Sequence, residues 1–435
     1  MKLPIRWLLV IGFVASCGVG SDAHAAAAQQ DWSRVKRALA SNSIPEVQRM
    51  TAGDRLALQA VLALKQHQEE RALQFIASAK STTDPLLDMI AAEAHRRQAL
   101  KALHRAGGYA GSMRHQQQML TDAALTAGLG EAETKLKLLR DHLATRQEGN
   151  PVDLLTLSPM VANVFMVDKA NSRLRVFAPN ADGGFTKLAD EYVVTGAHLG
   201  DKQKEGDERS PDGIYQFIRR LSGRGLEARY GPVAFPINYP NVLDLLHHKS
   251  GHGIWLHGYA PSVSRRPPRN TNGCFSLPNA RLQKLASMVK LGRSWVVVGN
   301  HLRFGNEAAR KKLRLSVEKS IAAWLNDWAS LNSTRYLSHY AQKFYSGGRN
   351  LAAWKRYKRR VNKNKRQVDV QISNLTLIHD PNRWPEGEVV VAQFLQRYHS
   401  NNYHDVTTKR LYLVRKSVKQ PWKILSEEKV MPIAQ

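Results

Sequence analysis

Residues 253–279 read GIWLHGYAPSVSRRPPRNTNGCFSLPN. An apolar, strand-like run ends at His257 and Gly258, and a loop rich in proline and arginine follows. Cys274 arrives seventeen residues after the histidine, directly behind Gly273. Cysteine attacks as its thiolate, so a nucleophilic cysteine needs a base or a positive neighbour. A loop that folds out and returns brings the imidazole and the thiol together. Gly258 admits close approach of another backbone, and Gly273 lets the chain turn tightly in front of the thiol. The amides of Asn272, Gly273 and Cys274 then become candidate oxyanion donors, each worth ~3 kcal/mol of barrier. Sixteen histidines are scattered along the chain, so spacing alone leaves the pairing of His257 with Cys274 open. A zinc site fits less well: His247, His248, His252 and His257 lie close in sequence, but without acidic or thiolate ligands at suitable spacing. No metal or cofactor is expected.

Cys274 is one of two cysteines; the other, Cys17, lies near the N-terminus. There, Lys2 and Arg6 precede an apolar run from Trp7 to about Val19, and the small-residue end Ala23-His24-Ala25 completes the pattern of a cleavable export signal over residues 1–25. The run is too short for a membrane span, which needs about 20 apolar residues. Val14-Ala15-Ser16-Cys17 also reads as a lipoprotein box, which would make Cys17 a lipid anchor. Either way the expected location is the periplasm, free or membrane-tethered, and the mature chain carries Cys274 into an oxidising compartment.

The formal net charge is +28. Such a balance usually suggests nucleic acid. Outside the cytoplasm, the available polyanions are instead anionic wall and envelope polymers. The densest basic run, KRYKRRVNKNKR at 355–366, has eight basic residues in twelve.

At 435 residues the chain is too long for one core. Residues 26–150 read as helices. One is capped by Asp84 before Pro85 and stops at Gly107-Gly108, and another opens at Gly53-Asp54. Residues 151–303 read as mainly β, with a hairpin formed by 161–167 and 173–177 and further strands at 192–195, 213–218, 254–257 and 295–298. One helix is expected over 278–291. Residues 304–435 begin with helices and end in four strands, an α+β pattern that can curl into a half-open cone.

The run GIWLHG … TNGCFSLPN resembles the L,D-transpeptidase catalytic domain of the YkuD type, whose signature is a histidine followed after about sixteen residues by S/T-x-G-C. Thr195-Gly196, Gly200-Asp201-Lys202 and the stretch from Glu205 to Tyr215 are similar to the family's G-D-K-x-x-E-G-D-x-x-T-P-x-G-x-Y motif. Phe235-Pro236-Ile237-Asn238-Tyr239-Pro240-Asn241 is similar to its substrate-side wall. The resemblance covers roughly 160–300. It implies Cys274 as nucleophile, His257 as base oriented by a backbone carbonyl, Gly273 in the oxyanion pocket and Thr271 on the loop that shapes it. It also implies peptidoglycan stem peptides as substrate: the thiolate attacks the carbonyl of the diamino acid's L-centre and expels D-alanine. Tyr239, Arg269 and Ser276 are candidate substrate contacts. Two positions depart from the common S-H-G-C-[IV]-R form, Asn272 in place of the histidine and Ser276 in place of the arginine. Such variants resemble the branch that includes L,D-carboxypeptidases and related wall hydrolases that release wall-attached lipoprotein. The helices followed by a curved sheet, with Trp324, Trp328, Tyr336, Tyr340 and Phe344 on the first helices, resemble the NTF2-like domain found in that branch; these aromatics are expected to be core.

The expectation is therefore a multidomain enzyme: a helical N-terminal region, a YkuD-like catalytic domain and an NTF2-like domain. Its thioester is resolved by an amine (transpeptidation) or by water (carboxypeptidation). A non-catalytic wall-binding scaffold is the reading from a different class. No nucleic-acid partner is expected, and the oligomeric state is not read from the sequence.

Overall fold

The computed structural model describes residues 22–48, 50–79, 85–105, 130, 132–136, 140, 149–263 and 266–431. The export segment before residue 22, Cys17 included, and the expected caps at Asp84 and Gly107-Gly108 lie outside the described residues.

Among the described residues, the N-terminal region contains the helices α1 (Asp22–Ser41), α2 (Pro45–Gln48), α3 (Ala52–Lys65), α4 (Glu69–Ala77) and α5 (Pro85–Arg105), with further helical residues at 130, 132–136 and 140. They share a core of Val35, Leu39, Leu58, Val61, Leu62, Leu86, Leu87 and Ile90. Helix α3 opens one residue before Gly53. Thr51 is its N-cap, because the threonine hydroxyl accepts from Asp54 N at 3.0 Å and satisfies an otherwise orphaned donor.

The middle region contributes β1 (Leu154–Thr156), β2 (Asn163–Asp168), β3 (Arg173–Pro179), β4 (Phe185–Tyr192), β5 (Thr195–Gly196), β6 (Gly213–Gln216), β7 (Leu221–Ser222), β8 (Val233–Pro236), α6 (Val242–Leu246), β9 (Trp255–His257), β10 (Arg269–Thr271), β11 (Phe275–Ser276), α7 (Asn279–Ala286) and β12 (Ser294–Gly299). One sheet runs β4-β3-β2-β12-β6, a second runs β11-β9-β8-β7, and β10 pairs with β5. The two larger sheets enclose Phe165, Val176, Phe217, Phe235, Leu256, Phe275 and Val296. The expected strand at 192–195 is split between β4 and β5, and the helix expected over 278–291 ends at Ala286.

The C-terminal region holds α8 (Glu307–Ala329), α9 (Ser333–Ser338), β13 (Tyr345–Ser346), β14 (Arg349–Asn350), α10 (Leu351–Asn362), β15 (Val368–His379), β16 (Glu388–Ser400), β17 (Tyr403–Arg415) and β18 (Lys423–Lys429). Long antiparallel strands in the order β15-β16-β17-β18 curl over the helices, and β1 adds a fifth strand beside β15. Trp324, Trp328, Tyr336, Tyr340 and Phe344 are all buried in this core. Among them sits a charged group: Glu427 contacts Lys409, with Lys358 at 3.9 Å and the Trp354 ring centroid 4.5 Å from the Lys358 ammonium.

The middle and C-terminal regions share a second core. Leu154, Val164, Met166, Trp295 and Val297 pack against Ile378, Val389, Val391, Tyr412 and Leu425. Arg410 lies over the Trp295 ring at 4.9 Å.

Candidate active site

Strands β9 and β11 pair in parallel, with Phe275 opposite Leu256 and Ser276 opposite His257. Adjacent parallel strands thus bring Cys274, just before β11, beside the strand that ends in His257. Parallel strands require a long crossover, and the arginine- and proline-rich loop supplies it. The returning strand is fixed from its other side as well, since Val194 and Ser276 exchange backbone hydrogen bonds at 2.8 and 2.9 Å.

His257 is buried, 4 % exposed. Its Nδ1 donates to Gly258 O at 2.6 Å, which leaves Nε2 with its lone pair. Burial pushes the imidazole down to about 4; the Gly258 carbonyl opposes this, and the Arg266 and Arg229 charges add to it. The ring is neutral at pH 7 and so competent to take a proton. Tyr230, from the 3₁₀ turn Ala228–Tyr230, meets it edge-on at 5.1 Å and packs on Trp255 at 4.6 Å.

The Cys274 thiol donates to Gly253 O at 3.4 Å. Burial pushes it up to about 11, while the Trp255 backbone N–H and the charges of Lys202, Arg229 and Arg266 pull the other way. At rest the thiol and the imidazole are therefore both neutral. Backbone and three cations are already arranged to favour the thiolate once a proton leaves.

The turn ahead of Cys274 is held by side chains. Thr271 Oγ1 donates to Cys274 O at 2.7 Å and accepts from Gly273 N at 3.2 Å. Gly273 therefore contributes a conformation, φ +115°, while its N–H is already engaged. A Cβ at that position would stand 2.7 Å from Arg209 O. Ser210 Oγ donates to Gly273 O at 2.8 Å and accepts from Gly196 N at 2.9 Å. Asn272 is exposed at the tip.

The remaining candidates have varied placements. Ser276 is fully buried, and its Oγ donates at 2.9 Å to Gly258 O, the carbonyl that also orients His257. Tyr239 is buried, and its hydroxyl donates to Ser250 O at 3.1 Å instead of facing the cleft. Arg269 is exposed on β10; the loop arginine whose charge bears on both Cys274 and His257 is Arg266. Gly258 has a packing reason to be glycine, because a Cβ there would lie 2.1 Å from Asn279 Oδ1. Asn279 itself bonds both backbone groups of Tyr259, at 2.8 and 3.1 Å. Ser210, Tyr230, Arg229, Arg266 and Gly253 were not singled out from the sequence. Ser210 had a signal in its place in the S-P-x-G-x-Y run, and Gly253 and Arg266 lie within the run 253–279.

Residues 162–298 match the L,D-transpeptidase catalytic domain family, YkuD, and residues 316–428 match the Cds6 C-terminal NTF2-like domain. A putative L,D-transpeptidase, YafK of Escherichia coli (strain K12), is 26% identical over 113 residues. That match takes in 24% of this chain and 41% of the relative's length. Among solved structures, Bd1075 of Bdellovibrio bacteriovorus superposes with a TM-score of 0.56 at 27% identity, covering 66% of this chain and 99% of that one. The helical cell shape determining protein Pgp2 of Campylobacter jejuni gives 0.55 at 27% identity, over 64% of this chain and 96% of its own. The paired β9 and β11 strands and the curled C-terminal sheet agree with these matches: residues 162–298 are an L,D-transpeptidase catalytic domain of the YkuD family, and residues 316–428 are a Cds6 C-terminal NTF2-like domain.

Proposed function

We propose that this protein is a periplasmic cysteine acyltransferase acting on peptidoglycan stem peptides, an L,D-transpeptidase. The observation that carries this reading is the placement of a neutral, carbonyl-oriented imidazole at the end of one strand and of a thiol immediately before the strand parallel to it. His257 Nε2 takes the thiol proton as Cys274 Sγ attacks the carbonyl on the L-centre of the diamino acid. The amides of Asn272 and Cys274 remain to meet the developing oxyanion, given that the Gly273 N–H serves Thr271. Collapse breaks the peptide bond, the imidazolium protonates the departing D-alanine amine, and a thioester is left. An amine of a second stem then resolves it, with its proton passing to His257.

Hydrolysis of the same thioester, L,D-carboxypeptidation, is favoured by one observation. Ser276 stands where the common form has arginine, and its hydroxyl is spent on Gly258 O, so this position offers no charge to an acceptor stem. The similarity to a cell-shape determining protein supports a wall substrate for either outcome. The +28 net charge supports attraction to anionic wall polymers.

Incubation with tetrapeptide-bearing wall fragments and mass analysis tests the reading. The expected products are cross-linked dimers; tripeptide alone would replace transpeptidation by trimming. Cys274→Ala should abolish both, and turnover retained in that variant would end the mechanism.

A further inference from the structure

Behind the thiol lies a buried ionic network whose outer end is held by the C-terminal region. Lys249 is 5 % exposed and binds Asp201 at 2.6 Å and Asp244 at 2.9 Å. Burial would strip its proton, but the two carboxylates hold it above its ordinary value. Its outward face is covered by Trp384, whose ring centroid lies 4.4 Å from the ammonium. Trp384 also stacks on His247 at 5.2 Å, and Glu386 stands 3.0 Å from His247 Nε2 and 3.1 Å from Lys343. Trp384 and Glu386 belong to the hairpin between β15 and β16, so residues of the NTF2-like domain close over a charge of the catalytic domain.

From Lys249 the network reaches both segments that flank Cys274. Along the chain, the turn through Gly251 (φ +89°) and Gly253 (φ +72°) leads to the carbonyl that accepts from the thiol. Tyr239 and Gln203 pin this turn by hydrogen bonds at Ser250 O and Ser250 N. Through Asp201, which accepts from Asp212 N at 2.8 Å, the network meets the Asp212–Lys169 pair at 2.7 Å. Lys169 donates to Gly200 O and Ser210 O, and Ser210 Oγ holds Gly273 O.

The geometry points to the Trp384–Glu386 hairpin as a positioning device: by capping Lys249 it fixes the Gly253 and Ser210 segments, and through them the orientation of the Cys274 thiol. This rests on the reading of Cys274 as the nucleophile. An NTF2-like domain joined in this way is part of the catalytic machinery of its neighbour, acting without touching substrate.

The test uses the full chain with Cys17→Ser, so that Cys274 is the single thiol, and two readouts. The first is the pH dependence of Cys274 alkylation by iodoacetamide, which senses the charged and titratable groups bearing on the sulfur, Tyr230, Lys202, Arg229 and Arg266, together with the proposed base His257. The second is turnover of tetrapeptide wall fragments, resolved into kcat and KM. Trp384→Ala is expected to shift the alkylation midpoint by at least one pH unit towards that of a free thiol. It should also lower kcat about tenfold with KM within twofold, and Trp384→Phe should restore both. Should Trp384→Ala not fold, Glu386→Gln is the deciding variant, with a smaller shift in the same direction. A folded Trp384→Ala or Glu386→Gln protein with unchanged alkylation profile and kcat overturns the proposal. Absence of turnover in the parent chain, or turnover retained in Cys274→Ala, would instead count against the assigned reaction, while the alkylation profile still decides the brace.

Discussion

His257 is buried in a state that excludes its proton, and this has a consequence for stability. Its value in the fold is about 4 against an ordinary 6.5. Below 6.5 the unfolded chain binds a proton that the folded chain refuses, so this stabilisation is complete above 6.5 and is lost as pH falls towards 4. The shift corresponds to about 3 kcal/mol between pH 7 and pH 4. Urea unfolding of the wild type and of His257→Gln at both pH values should differ by that amount in their pH dependence. Equal pH dependence of the two proteins would show that the imidazole is not desolvated. At the turn ahead of the thiol, Gly273→Ala should cost about 1–3 kcal/mol for its positive φ and close approach to Arg209 O. Turnover should fall far more than stability does, which kinetics beside a thermal melt would reveal. The residues that announced this site were those close together in sequence: Cys274, His257, Thr271 and the two glycines. Lys249 was silent because its role depends on which loops pack together, and the motif that contains Ser210 gave no sign of its bond to Gly273, 63 residues away.

At the scale of elements, the long runs of alternating or helical spacing were legible and the short ones were not. In helix α8 the buried Val317, Ile321, Trp324 and Trp328 recur at helical spacing, and strands β15 to β18 fall on the β-rich runs of the sequence. Residues 192–195 read as one strand, yet the chain splits there because Val193 bonds Ser172 while Val194 crosses to Ser276. Helix α10 shows what its basic run conceals. Lys358 is buried and points inward, unlike the exposed Arg356, Arg359 and Arg360. Burial pushes Lys358 down to about 8 against the pull of Glu427. Burial would raise Glu427, but Lys358 and Lys409 hold it down to about 2. Stability from Glu427 is thus present above 4.5 and lost as pH falls towards 2. Glu427→Gln, which leaves two buried ammonium groups without their carboxylate, should destabilise by about 3–5 kcal/mol. Adding Lys358→Met should recover part of that loss, because it removes a charge that then has no partner. Denaturant melts of the single and double variants check this, and additive losses would mean the two groups are not coupled.

For the whole molecule, the point that sequence patterning concealed is how thoroughly the two larger regions are joined. Leu154–Thr156 precedes the catalytic sheet in sequence but pairs with β15, more than two hundred residues later. Trp295 and Val297 of the central β12 strand pack on Tyr412, Val391 and Leu425 of the C-terminal sheet. Asn382 donates to Val298 O at 2.8 Å, and Arg410 contacts Gln216. A boundary crossed by a strand, an apolar core and buried hydrogen bonds lacks the polar, easily separated character of a flexible domain junction. The two regions should therefore melt as one cooperative unit. Calorimetry is expected to show a single transition for the catalytic and NTF2-like domains together. Trp295→Ala, which leaves a large cavity where the domains meet, should cost about 3–5 kcal/mol and lower that shared transition as a whole. Hydrogen exchange locates the effect: protection should fall together in β12 and in β16 and β17. Loss confined to the catalytic sheet, with the C-terminal sheet still protected to its former temperature, would show two independent domains and would remove the mechanical basis for the Trp384 brace.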